Sequence, residues 1–237
     1  AFMNSDNERR AAPCEVPPER KCGRTESDGR GSREPRMPER HPLEPFLPSG
    51  ARLLMLGSFP PQRKRWSMDF FYPNLQNDMW RIVGHLFFGD RHHFLRPDRK
   101  AFDRERIASF CAQCGIALYD TAEEVIRLKD NASDNFLEVV RETDLAALLD
   151  RIPQCCAVVT TGQKATDTLC RAVGCAAPPV GGSVAFALAG RTLRLYRMPS
   201  SSRAYPRPLE WKAEFYRAMF AACGMLPACA PQPEDGA

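Results

Sequence analysis

Three short apolar runs constrain this chain more than any other feature: Ala51–Gly57 (ARLLMLG), Ile116–Tyr119 (IALY) and Ala157–Thr161 (AVVTT, followed by Gly162). Each is too short for a stable helix and apolar at successive positions, the pattern of a strand covered on both faces. Segments with helical spacing lie between and after them. Gln76–Phe88 repeats Met79, Ile82, Val83, Leu86 and Phe87, and Phe102–Cys114 is amphipathic with Gly115 as its C-cap. Leu137–Leu149 is read as containing helical turns, Lys164–Val173 as a helix and Leu209–Ala222 as the last helix. Val184–Leu188 and Thr192–Arg197 flank Ala189-Gly190 as a hairpin or strand pair. Strands joined through helical crossovers imply a mostly parallel central sheet with helices on both faces. In such sheets the functional loops follow the C-terminal ends of the strands. Three loops fit: Gly57–Pro61, Thr161–Lys164 and Met198–Pro206.

Length and composition bound the rest. The 237 residues are 43% hydrophobic and 26% charged, as in an ordinary globular domain with tails. No run approaches the ~18 uninterrupted apolar residues of a membrane span, and the first residues lack the apolar core of a secretory signal. An intracellular, cytoplasmic protein with no membrane partner is expected. Residues 1–50 hold eight of the 21 prolines and nine basic against nine acidic side chains. Residues 1–40 are therefore expected as a disordered leader, 41–226 as the folded domain, and 227–237 as a flexible tail. Residues 51–226 carry 24 basic and 18 acidic side chains, a mild surplus that suits an anionic partner.

The chemistry-bearing segments follow the strands. Gly57-Ser58-Phe59-Pro60-Pro61 leads into the basic stretch Arg63-Lys64-Arg65-Trp66 and then FFYPNLQNDMW, residues 70–80. TTGQKA spans 160–165, and MPSSSRAYP spans 198–206. In order and placement these resemble the motifs of the uracil-DNA glycosylase superfamily, over roughly Arg52 to Met219. The pattern is most similar to the branch holding the mismatch-specific uracil and the hypoxanthine DNA glycosylases. The resemblance implies a three-layer α/β/α sandwich with a central, mostly parallel four-stranded sheet. It also implies a monofunctional DNA glycosylase for base excision repair, acting as a monomer on DNA containing a damaged base. The base would be uracil or hypoxanthine.

That chemistry requires a base to be flipped from the stack, held, and cut from its sugar by water. Tyr72 is the candidate stacking platform, with Phe71 and Phe59 beside it. Asn77 is the main candidate for ordering water or reading the base; its competing role is a helix N-cap. Ser58 stands where many relatives carry the water-activating Asp or Asn. A serine hydroxyl is a poor base, so Ser58 orients water or phosphate at most. Asp69 and Asp78 lie near the same loop, each with a solvated or capping role as the plainer reading. Ser200, Ser201, Ser202, Arg203, Lys164 and Arg65 are the candidate DNA contacts, to phosphate above all. Asp120-Thr121 and the run Asn131–Asn135 are candidates for base contacts, with loop and cap roles as the alternative.

Neither cofactor nor metal is expected. Cys111-x-x-Cys114 falls in the last turn of a predicted helix, and no second Cys-x-x-Cys exists. His41, His85, His92 and His93 form no evident zinc set. The rival to the glycosylase is a catalytically silent nucleic-acid-binding module of the same fold, which would bind DNA without cutting the glycosidic bond. Hydrolysis of a free nucleoside or nucleotide is a third reading.

Overall fold

The computed structural model describes residues 37–129 and 136–226. The chain begins with β1 (Glu39–Arg40), β2 (Leu53–Gly57), a 3-10 turn at Arg63–Arg65, α1 (Met79–Phe88) and α2 (Arg104–Cys114). It continues through β3 (Ile116–Asp120), β4 (Ala122–Arg127), β5 (Leu137–Glu142), α3 (Leu145–Arg151), β6 (Ala157–Thr161) and α4 (Gln163–Val173). β7 (Ser183–Leu188), β8 (Arg191–Met198) and α5 (Leu209–Ala222) complete it.

Five strands form the central sheet in the order β3-β2-β6-β8-β7. β2 pairs in parallel with β3 and β6, and β6 in parallel with β8; β7 runs antiparallel on the edge. Every residue of β2, β3 and β6 is buried, so both faces are covered. The expected four parallel strands are present, but the sheet has five strands and is mixed. The addition comes from the hairpin at Ala189 (φ 49°) and Gly190 (φ 73°), whose paired left-handed residues return β7 against β8.

A second, antiparallel sheet, β1-β4-β5, was not expected. Residues 137–149 are not a run of helical turns: 137–142 form β5, and only from Leu145 does α3 begin, capped by the Asp144 side chain on Ala147 N–H at 3.0 Å. Val139 and Val140 favour the pleated conformation, and β5 pairs along β4 across two register shifts. Glu39 and Arg40, the last residues of the expected leader, pair with Val125 and Glu124. The remainder of that leader to residue 36, the expected tail and the run Asn131–Asn135 lie outside the described residues.

Local signals elsewhere act as expected. Asp103 caps α2 by accepting from Arg106 N–H at 3.1 Å, and Gly115 closes it in the left-handed conformation at φ 71°. α1 buries Met79, Trp80, Ile82, Val83 and Leu86 and packs against α5, which buries Ala213, Tyr216, Met219 and Phe220. Each such large side chain contributes about 1.5–3 kcal/mol. Cys111 lies on the buried face of α2, where desolvation pushes its thiol well up and keeps it a neutral core residue. None of the described helices is long and apolar enough to cross a membrane.

Candidate functional site

Because β2, β3, β6 and β8 are parallel, their C-terminal residues Gly57, Asp120, Thr161 and Met198 share one edge of the sheet. The loops that leave this edge enclose a cleft of about 680 Å³. Its lining includes the candidates Ser58, Phe59, Phe71, Tyr72, Asn77, Lys164, Ser200, Ser201 and Ser202. Arg65 and Arg203 do not line it. Arg65 is exposed on the 3-10 turn, and Arg203 faces a neighbouring groove with Arg91 and Arg207.

Short-range bonds hold the loop from Phe70 to Asn77 in place. Trp80 Nε1–H donates to Phe71 O at 2.9 Å, and the Ser67 hydroxyl donates to Pro73 O at 2.8 Å. Tyr72 sits at φ 51°, a region a bulky residue enters only when its surroundings compel it. Its hydroxyl lies 3.2 Å from Thr161 Oγ1, and its ring meets Trp80 edge-on. Phe71 and Phe59 are buried and shape the wall. Phe71 packs against Phe70 and Tyr119, whereas Phe59 belongs to a small cluster with Ala122, Val125 and Leu137 beneath the second sheet.

Asn77 is not the N-cap of α1, a position that Asp78 takes without a capping bond from its side chain. One residue ahead of it, Asn77 Oδ1 accepts from Met79 N–H at 2.9 Å in a local turn that leads into the helix. With that oxygen committed, its amide NH₂ is the group it offers the cleft. The serine loop is stitched alongside. Asn77 bridges Ser202, Asp78 N–H donates to Ser201 O at 2.8 Å, and Arg203 N–H donates to Gln76 O at 3.0 Å. The hydroxyls of Ser200 and Ser202 accept locally from Ser202 N–H and Ala204 N–H.

Neither carboxylate singled out near the first loop faces the cleft as a base. Asp69 pairs with Arg63 in the exposed patch that also sets the Arg63 guanidinium over Trp66 at 4.1 Å. Asp78 is buried among three cations: Arg203 Nε at 2.8 Å, Lys212 Nζ at 3.6 Å and Arg81 Nη1 at 3.9 Å. Lys212 is fully buried and donates to Ser202 O at 2.9 Å; desolvation outweighs Asp78 and lowers its pKa.

Asp120 does line the cleft, and it is 6% exposed. His41 Nε2 lies 2.9 Å from its Oδ2, with the imidazole itself buried. Sequence reasoning placed Asp120 near the pocket as a base contact but saw nothing in His41, 79 residues away. Opposite Asp120 in the sheet register stands Gly57. A Cβ at Gly57 would fall 2.3 Å from Asp120 Oδ1 and 3.7 Å from Tyr72 Cε1, so the carboxylate and the ring both border the space that a side chain there would take.

No protein-family model and no curated protein matches the chain. Among solved structures, it is similar to the solution NMR structure of a "putative Uracil DNA glycosylase" from Methanosarcina acetivorans. The two are 23% identical, with a TM-score of 0.48, over 77% of this chain and 99% of that one.

Proposed function

We propose that this protein is a monofunctional DNA glycosylase that flips a deaminated base, uracil or hypoxanthine, into the cleft and hydrolyses its N-glycosidic bond. The observation that carries the reading is the convergence of all three motif loops on one cleft lined by Tyr72 and Asn77. A volume of about 680 Å³ falls within the ~300–1,000 Å³ typical of small-ligand pockets and suits an extrahelical nucleotide. Tyr72 stacks on the base, with Phe71 and Phe59 behind it. Asn77 presents its amide to the base or to the attacking water, and Ser58 orients water. Ser200, Ser201, Ser202 and Lys164 flank the cleft where the phosphates next to the flipped nucleotide pass, with Arg203 and Arg65 on the approach. The protein acts as a cytoplasmic monomer without a cofactor, and its product is an abasic site for base excision repair.

The test uses labelled oligonucleotides carrying a single uracil or hypoxanthine, single-stranded and opposite each base, followed by alkali. Strand cleavage at one lesion is expected, and Tyr72→Ala should slow excision by about 10-fold or more, from a stacking contribution of about 1–3 kcal/mol. Intact strands across the whole panel, with salt-dependent DNA binding retained, would identify the silent binding module instead.

A further inference from the structure

We propose that Asp120 is the water-activating carboxylate of the cleft and that His41 is the residue that positions it. The inference rests on the glycosylase reading and supplies a group that reading lacks. Ser58 carries no acid, the Asn77 oxygen is bonded to Met79 N–H, and Asp69 and Asp78 are held in ion pairs. Asp167 also lines the cleft, but it is exposed on α4 and accepts from the Gln163 amide.

Asp120 differs from all of these. It ends the buried strand β3, so its backbone is fixed by pairing with β2 through Gly57. Thr143 Oγ1–H donates to its carbonyl at 2.7 Å. Oδ2 is bound by His41, and Oδ1 faces Gly57, where it borders the same space beside that glycine as the Tyr72 ring does. With the carboxylate ionised, His41 Nε2 carries the proton of their bond. Nδ1 then either accepts from Leu43 N–H at 3.2 Å in the neutral ring or donates to Leu43 O at 2.9 Å in the imidazolium. In both forms the ring is anchored by the backbone at one nitrogen and the carboxylate at the other. Phe59, Phe71 and Tyr119 pack round the imidazole, with centroids 5.3, 6.2 and 4.6 Å away. A carboxylate held this rigidly in a walled cleft is preorganised to take a proton and to face positive charge developing on a sugar.

The step balances as hydrolysis. The C1′–N bond breaks with its electron pair leaving on the base. A water oxygen bonds to C1′, and the proton it loses passes to Asp120. The departing base takes a proton from solvent, and Asp120 returns its own to solvent, so one water is consumed per base released.

The assay is single-turnover excision by the full chain on the lesion it accepts, with anisotropy measurement of its Kd for the same sequence bearing an abasic-site analogue. Asp120→Asn should slow excision at least 100-fold while Kd changes less than threefold, within the ~10²–10⁴ range for a general base. Formate should restore Asp120→Ala at least 10-fold, a recovery that loss of a merely structural contact would not show. His41→Leu should match Asp120→Asn in rate with Kd kept, His41→Gln should retain most of the rate by keeping a donor, and the double variant should fall no further. Excision by Asp120→Asn within threefold of wild type overturns the assignment and leaves the glycosylase standing. A wild-type chain inactive on every lesion overturns both. If Asp120→Asn loses DNA binding along with rate, the decision rests on His41, where the carboxylate is kept. Equal rates for Leu and Gln overturn the proposal; loss in Leu alone supports it.

Discussion

Gly57→Ala sets two backbone and side-chain effects against each other, and the distances decide between them. Gly57 lies in β2 and has no positive φ, so on backbone entropy alone alanine should stabilise the fold by about 0.4–1 kcal/mol. The added methyl, however, would sit 2.3 Å from Asp120 Oδ1, roughly 1 Å inside ordinary van der Waals contact. Asp120 cannot swing aside freely, because Oδ2 is tied to His41 and both side chains are buried. Displacing it loses a hydrogen bond to a charged group, about 1.5–3 kcal/mol, and forces a strained rotamer, about 0.5–1.5 kcal/mol. The balance is a net destabilisation of about 1–4 kcal/mol, a fall in Tm of roughly 3–12 °C for a domain of this size. Circular-dichroism melts of wild type, Gly57→Ala, His41→Leu and the double variant measure it. Freeing Asp120 by His41→Leu should reduce the further cost of Gly57→Ala, since the carboxylate can then move. A Gly57→Ala protein as stable as wild type, or more so, would refute the packing of Asp120 against Gly57.

Two further outcomes follow from the buried charges. Asp78→Asn leaves Arg81, Arg203 and Lys212 without their common counter-ion and should cost about 3–5 kcal/mol, whereas Lys212→Met keeps Asp78 paired with both arginines and should cost less than half as much. Urea titrations giving the reverse order would refute the network. Burial, with Glu123 and Asp120 nearby, pushes the Tyr119 hydroxyl up to about 12 from an ordinary value of 10. The folded chain therefore holds a proton that the unfolded chain releases as pH rises from 10 to 12, and stability must fall across that window. By pH 11 the loss is about 1 kcal/mol, and Tyr119→Phe should remove it; equal pH sensitivity in the two proteins would count against this burial.

Much of the frame was legible because the signals that produce it are local. Apolar runs of four to seven residues such as ARLLMLG can satisfy themselves only inside a sheet covered on both faces, and β2, β3 and β6 occupy those positions. Asp103 and Gly115 mark the ends of α2 through bonds to their near neighbours. The three loops at the ends of parallel strands had to share one edge once the strand order was parallel. What was missed depended on partners distant in sequence. AEEVIR and LEVVRE each lack a strong strand signal alone, and they become β4 and β5 by pairing with each other and with Glu39–Arg40.

The same division runs through the cleft. The sequence by itself determined which residue types stand in the loops, because Tyr72, Asn77 and the three serines reach the cleft through turns encoded within a few residues. Only the tertiary structure decided what each can do there. Asn77 gives its oxygen to a helix end, Asp78 disappears into an ion-pair network with Arg203, 125 residues away, and Asp120 becomes a fixed carboxylate because His41 arrives from the strap ahead of the first central strand. Burial and hydrogen-bond partners govern a side chain's chemistry, and both are set by packing between segments that no local pattern connects.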